Sequence, residues 1–411
     1  MPAAGARGAS SLSRLLLGAF GDPGHAFPMI ALGRELAARG HDVTLQTWSR
    51  WRSDVEAEGM RFAAAPEYHV FPTRERPMTP YAAVERATLQ TVALVRDAAP
   101  DAVVADILTL APALAAELEG VPVATLIPHL DPRLPAGWAP YSCGARAPRT
   151  AAGRTLWRAA DPLLRAGLQR GRRELNETRE RLRLPGLDRV HGGISDALCI
   201  VATFPQLEYP RAWPPRTHVA GPLLWEPPFG AVELPPGGEP LVLVAPSTSQ
   251  DSGQRLLRAA LAGLADLPVR VLATCNRRPL DPPLDVPRNA RVVEWLSYAR
   301  TMASCDLVVC HGGHGTVARA LASGCAVVAV PAAGDMNENA ARVEWAGVGM
   351  RLPRRLCGSR GLALAAGRAF TRPQLRERAL ELRAWARRND GAARAASLVE
   401  ALAVGGQPAR P

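Results

Sequence analysis

The chain has 411 residues, 47% apolar and 21% charged, with 49 basic and 38 acidic side chains and a formal net charge of +11. At about 150 residues per domain this suggests two domains, each with ample material for a core. Mean hydropathy is near zero, and no apolar run reaches the ~18 residues that span a bilayer, which argues against a helical membrane protein. All 49 cations are Arg, with no lysine, so a lysine Schiff base and a P-loop lysine are excluded. The Arg residues are dispersed and aromatics make up only 5%, a poor basis for a nucleic-acid platform. Residues 1–10 are small, polar and basic, and the apolar stretch 15–20 is short for a secretory signal, so a cytoplasmic location is expected.

In chain order, residues 14–20 read as a buried strand, followed by the loop Gly21-Asp22-Pro23-Gly24-His25. A helix from about 27 to 39 sets Met29, Ile30, Leu32 and Leu36 on one side and stops at Gly40. Residues 41–47 form the next strand, giving a parallel strand–helix–strand unit. The rhythm returns as a strand at 102–105, a helix at 109–119 and a strand at 122–127. Segment 165–183 mixes Arg with Glu174, Glu177 and Glu180, the pattern of a solvated helix face. The pairs Pro214-Pro215, Pro227-Pro228 and Pro235-Pro236 mark a linker, and the domain boundary is expected at 226–240. Beyond it, strands are expected at 241–245, 269–274, 291–294, 307–309 and 326–330, and helices at 254–264 and 315–323. A long helical stretch at 373–402 ends the chain. Two consecutive α/β domains should leave a cleft, with ligands beyond the carboxyl ends of the strands.

The seven Cys residues are odd in number and contain no CxxC pair. A disulfide framework is therefore not expected, and no metal site is expected at Cys305, Cys310 and His311. The strongest motif is Cys310-His311-Gly312-Gly313-His314-Gly315-Thr316, between an apolar strand and a helix. Glycines let a backbone approach an anion, and the helix start offers unpaired N–H groups and a positive dipole end. His311 and Thr316 can add donors; the competing reading is a glycine-rich turn capped by Thr. The second motif is the His25 loop. His suits a general base near neutral pH if a carboxylate orients it. Asp106, on another strand-to-helix loop of the same sheet, can do so, or it can cap the following helix.

Four segments then appear together in order: Gly24-His25-x-x-Pro28, Val293-Glu294-Trp295-Leu296, the 311–316 run and Asp335-Met336-Asn337-Glu338-Asn339-Ala340-Ala341-Arg342. Together they resemble family 1 glycosyltransferases, especially bacterial enzymes acting on antibiotics and other natural products, from about residue 14 to 400. The resemblance implies the α/β GT-B fold of two Rossmann-like domains. It implies a tail at 1–13, an acceptor-binding domain at 14–225 and the linker at 226–240. It further implies a nucleotide-sugar-binding domain at 241–383, a helix at 384–404 crossing back to the first domain, and a tail at 405–411. It implies His25 as base and Asp106 as its partner. Trp295 would lie against the nucleobase, and His311, Gly313, Gly315 and Thr316 would hold the diphosphate with Thr248 nearby. Asp335 and Met336 would face the sugar. The implied reaction is an inverting, metal-independent hexosyl transfer with no cofactor beyond the nucleotide sugar.

Two departures bear on the donor. Arg319 stands where many UDP-sugar members carry a ribose-binding Glu, and Met336 where many carry Gln. Fewer hydroxyls would be read, which favours a dTDP-deoxysugar over UDP-glucose. Ser297-Tyr298 replaces the family's Pro-Gln. Tyr68, Phe71, Trp138 and Tyr141 are candidates for an apolar acceptor pocket, or packing under long loops. The expected partners are a small-molecule aglycone and a nucleotide sugar, with no nucleic acid and no stable membrane insertion, in a monomer or homodimer. The competing readings are a UDP-glucose transferase, another GT-B chemistry, or an inactive nucleotide-binding activator.

Overall fold

The computed structural model describes residues 12–65, 80–248, 251, 253–280 and 282–405. The strands of the first sheet are β1 (Arg14–Gly18), β2 (Asp42–Thr47), β3 (Arg61–Ala64), β4 (Ala102–Asp106), β5 (Val123–Ile127), β6 (Leu198–Val201) and β7 (Thr217–Val219). The helices in the same stretch are α1 (Pro23–Ala38), α2 (Arg52–Ala57), α3 (Pro80–Ala98), α4 (Leu110–Leu118) and α5 (Ala151–Arg181). The sheet order is β3-β2-β1-β4-β5-β6-β7. Chain order therefore reverses between β1 and β4, which pair in parallel with Gly18 opposite Ala105.

The second sheet comprises β8 (Leu241–Ala245), β9 (Arg270–Thr274), β10 (Ala290–Val293), β11 (Leu307–Cys310), β12 (Ala326–Ala329) and β13 (Gly349–Arg351), in the order β10-β9-β8-β11-β12-β13. Its helices are α6 (Arg255–Leu264), α7 (Tyr298–Thr301), α8 (His314–Ser323), α9 (Met336–Trp345), α10 (Ser359–Phe370), α11 (Pro373–Arg388) and α12 (Gly391–Gly405). Here the order reverses between β8 and β11. Strand periodicity builds two cores. Leu241, Leu243, Val308, Cys310 and Val327 face one layer with residues of α8, α9 and α11. Val242, Val244, Leu307, Val309 and Val328 face the other with residues of α6 and α10.

The chain divides into two compact units. One is Met1–Leu126 with Arg173–Ile200 and Ala395–Pro411; the other is Ile127–Arg172 with Val201–Arg394. This differs from a boundary at 226–240, because the proline-rich segment does not hang free. Leu224, Val232 and Leu234 pack against the core of Leu241, Leu243 and Val308, which also holds Phe204 and Leu207. The terminal helical stretch is broken rather than continuous. The Asp390 carboxylate accepts from Ala392 N at 2.9 Å and Ala393 N at 3.1 Å, starting a new helix after Asn389. From α12, Glu400 takes Arg39 and His41, each at 2.9 Å, within the first unit.

Candidate active site

His25 and Asp106 follow β1 and β4, and Thr248 and His311 follow β8 and β11, the strand pairs at which chain order reverses in each sheet and loops on adjacent strands diverge to leave a crevice. In the first unit, β1 runs through Phe20 to Asp22, whose carboxylate accepts from Gly24 N at 3.1 Å and caps α1. Pro23 supplies the first helical residue. The helix thus begins four residues before the expected position, and His25 lies in its first turn rather than on a loop. The cap fixes where the imidazole points. His25 Nδ1 lies 2.8 Å from Asp106 Oδ1, with Asp106 fully buried at the end of β4. The other carboxylate oxygen accepts from Phe20 N at 3.3 Å and Thr109 Oγ1 at 3.4 Å. Thr109 stands at the N-cap position of α4 without a side-chain capping bond, and the Asp106 carboxylate meets His25, Phe20 N and the Thr109 hydroxyl rather than an N–H of the helix. Phe20 sits edge-on to the imidazole, with centroids 6.1 Å apart. A carboxylate on Nδ1 holds the proton there and directs the basic lone pair to Nε2.

In the second unit, β11 ends at Cys310 and the chain turns through Gly312 at φ +81°, a left-handed conformation suited to glycine. Gly313 precedes α8 in an extended conformation. His311 Nδ1 lies 3.2 Å from Ala245 O at the end of β8, which makes Nδ1 its N–H. A Cβ on Gly313 would collide with His311 Nε2, whereas a Cβ on Gly315 would meet nothing within 4 Å. A side chain at 313 would therefore displace the His311 imidazole, and Gly315 presents bare backbone to open space. The α9 start closes the turn on its other side, since a Cβ on Gly312 would lie 3.1 Å from Met336 O. Asp335 directly precedes α9, and its side chain does not cap that helix. His311, Gly313, Met336 and the start of α8 are thus brought together. Thr248 is exposed two residues beyond Pro246 on the loop after β8. Arg319 is half-buried on α8.

Behind the turn lies a contact that the motif alone does not reveal. Asn339 Nδ2 donates to Gly312 O at 2.9 Å, and Asn339 Oδ1 lies 3.4 Å from His314 Nδ1. His314 Nε2 lies 3.3 Å from Ala202 O, so a neutral ring carries one proton for two facing oxygens. Burial, with the charge of His129 adding to it, pushes the His314 pKa down to about 4.

Trp295 follows β10 and is half-buried, with Phe229 at 5.5 Å and the Arg277 guanidinium 5.4 Å from its ring centroid. Neither neighbour was legible as a partner, because Phe229 comes from the proline-rich segment and Arg277 from the loop after β9. Tyr68 and Phe71 lie outside the described residues. Trp138 stacks on Tyr209 at 4.6 Å, and the Tyr141 hydroxyl lies 3.3 Å from His129 Nδ1. Both are thus engaged in packing of the second unit. Burial, reinforced by Asp335 and Glu338, raises the Tyr141 phenol well above its ordinary value.

A buried ionic cluster anchors α9. Arg342, fully buried, reaches Glu338 Oε1 at 2.8 Å, Leu207 O at 2.9 Å and Glu208 Oε2 at 3.2 Å, and lies over the Tyr209 ring. Glu208 also pairs with Arg211 and accepts from Asp131 N at 2.8 Å. Burial raises the Glu208 carboxyl pKa, and the facing cations oppose that shift. The Glu338–Arg342 spacing of four residues was the available sequence signal.

Residues 258–400 match the family described as erythromycin biosynthesis protein CIII-like, C-terminal domain. Over 431 aligned residues the chain is 28% identical to 4'-demethylrebeccamycin synthase of Lentzea aerocolonigenes, covering 95% of this chain and 99% of that relative. The chain has the GT-B fold, and the proteins it is similar to include glycosyltransferases of antibiotic and natural-product biosynthesis. The glycotransferase of kitacinnamycin superposes on this chain with a TM-score of 0.75 at 22% identity, covering 95% of this chain and 99% of that one. The glycosyltransferase VinC, solved in complex with dTDP, gives a TM-score of 0.68 at 20% identity, covering 95% and 100%. No described helix of the chain is long and apolar enough to cross a membrane.

Proposed function

We propose that the transferase moves a deoxyhexose from a dTDP-linked donor to a hydroxyl of a lipophilic natural-product aglycone, with inversion at the anomeric carbon and no metal requirement. The 2.8 Å contact between His25 Nδ1 and Asp106 is the observation that carries this reading. With Nδ1–H donating to the carboxylate, Nε2 takes the acceptor hydroxyl proton as the oxygen attacks the anomeric carbon. The carbon–oxygen bond to the diphosphate breaks on the opposite face. Asp106 stabilises the resulting imidazolium. The start of α8, the bare backbone at Gly315 and the Thr316 hydroxyl meet the charge growing on the departing diphosphate. Because His311 Nδ1 is turned to Ala245 O, this side chain donates to phosphate from Nε2 only as imidazolium.

The dTDP preference is supported by two residues. Arg319 offers no acceptor to a ribose hydroxyl, and Met336 offers an apolar surface rather than an amide to the sugar. Trp295 gives the base an aromatic face. The test is turnover with a panel of dTDP-deoxyhexoses and UDP-glucose against lipophilic hydroxylated acceptors, read by nucleoside diphosphate release and by the anomeric configuration of the product. Retention of configuration, or no turnover with any nucleotide sugar, would overturn the reading.

A further inference from the structure

We propose that Asn339, held by His314, is a positioning residue that aims the Gly313 N–H at the donor diphosphate. The inference deepens the donor assignment made above and rests on it. Gly312 is left-handed at φ +81°, a conformation that leaves its carbonyl without a place in any helix or strand. Asn339, 2% exposed on α9, ties that carbonyl down at 2.9 Å. A trans peptide sets its C=O and the following N–H in opposite directions. Fixing Gly312 O on Asn339 therefore turns Gly313 N–H away from α9, at the entrance to α8 where the phosphate is assigned. The amide cannot simply turn over, because Oδ1 would then face the Gly312 carbonyl, oxygen against oxygen. His314 Nδ1 lies 3.4 Å from Oδ1, and with the ring proton on Nδ1 it holds the productive orientation from the other side. Neither side chain needs to touch the donor. Both act through the direction of one backbone N–H.

The test uses the full chain. Asn339→Asp keeps the side-chain shape and removes the donor to Gly312. Calorimetry with dTDP and UDP, and separately with thymidine and uridine, is compared with thermal melting. We expect nucleoside diphosphate affinity to fall about 5- to 150-fold, the effect of one lost buried hydrogen bond with its partner left unpaired. Nucleoside affinity should stay within about two-fold, and the Michaelis constant for donor should rise more than that for acceptor. Restoring a shorter donor with Asn339→Ser should recover little affinity, and it serves as the second variant should the first fail to fold. Parent-like diphosphate affinity in a folded variant would overturn the proposal, as would an equal loss for nucleoside and diphosphate. If His311→Ala and Asn339→Asp both bind diphosphate as the parent does, the donor assignment itself fails. If only the Asn339 variant does, the assignment stands and the positioning role falls.

Discussion

His25 and Asp106 are 81 positions apart, yet Nδ1 of one lies 2.8 Å from Oδ1 of the other. The contact exists because β1 and β4 are parallel neighbours and each chain leaves its strand at the same edge. Replacing His25 by Ala is expected to lower turnover by about 100- to 10,000-fold, the usual range for a general base. Donor affinity should change little, because the side chain belongs to the acceptor step. Asp106→Asn should also impair turnover, since the amide no longer holds the same tautomer. Steady-state rates near neutral pH decide this, and near-parent turnover by His25→Ala removes it from the base role.

The cradle gives a separable result. His311→Ala and Thr316→Ala should weaken donor binding and slow transfer together, because the proposed reaction sets both against charge that grows on the leaving diphosphate. Transfer should continue in EDTA. Loss in the chelator, with recovery on adding a divalent ion, would refute the metal-free step.

The donor prediction turns on Arg319 and Met336. Calorimetry should give tighter binding of dTDP than of UDP, and turnover should be better with a dTDP-deoxyhexose than with UDP-glucose. One unpaired buried polar group, at about 1–3 kcal/mol, discriminates roughly 5- to 150-fold. Arg319→Glu combined with Met336→Gln should move the preference towards UDP-glucose. Equal or tighter UDP binding by the parent would end the dTDP assignment and leave the fold and the base untouched.

His314 makes a statement about stability. Burial lowers its pKa to about 4, whereas an unfolded histidine titrates near 6.5. Above about 6.5 neither state is protonated and the stability is complete. As the pH falls from there towards about 4, the unfolded chain takes up a proton that the folded ring does not, so stability is lost at up to ~1.4 kcal/mol per pH unit. Urea midpoints measured across that interval should fall less steeply in His314→Asn than in the parent. Identical slopes would show that another group carries the acid sensitivity.

Much of the site was legible as residue types. Glycines before a helix, a histidine near neutral pH and a carboxylate after an apolar strand each name a chemistry without any coordinates. The element rhythm was legible for the same reason, since alternation within β8 and β11 and the apolar spacing of α1 follow from the pitch of the backbone. Less legible was where elements begin and break. Asp22 starts α1 early and Asp390 divides the terminal helix, because single caps compete with periodicity and win locally. The proline-rich segment read as a linker, yet its Val232 and Leu234 pack on the core that holds Leu241 and Leu243.

The sequence by itself determined the two α/β halves, the glycine-rich turn and the identities of His25, Asp106 and His311, because these depend on local spacing and side-chain chemistry. Only the tertiary structure decided that Asp106 serves His25 rather than a helix end. It alone showed that His311 faces Ala245, that Asn339 holds Gly312, and that Arg342 is buried among Glu338, Glu208 and Tyr209. Each of these contacts depends on which strands lie side by side and how a helix is rotated on its sheet. Those relations are fixed by packing of the whole core, and no single segment encodes them.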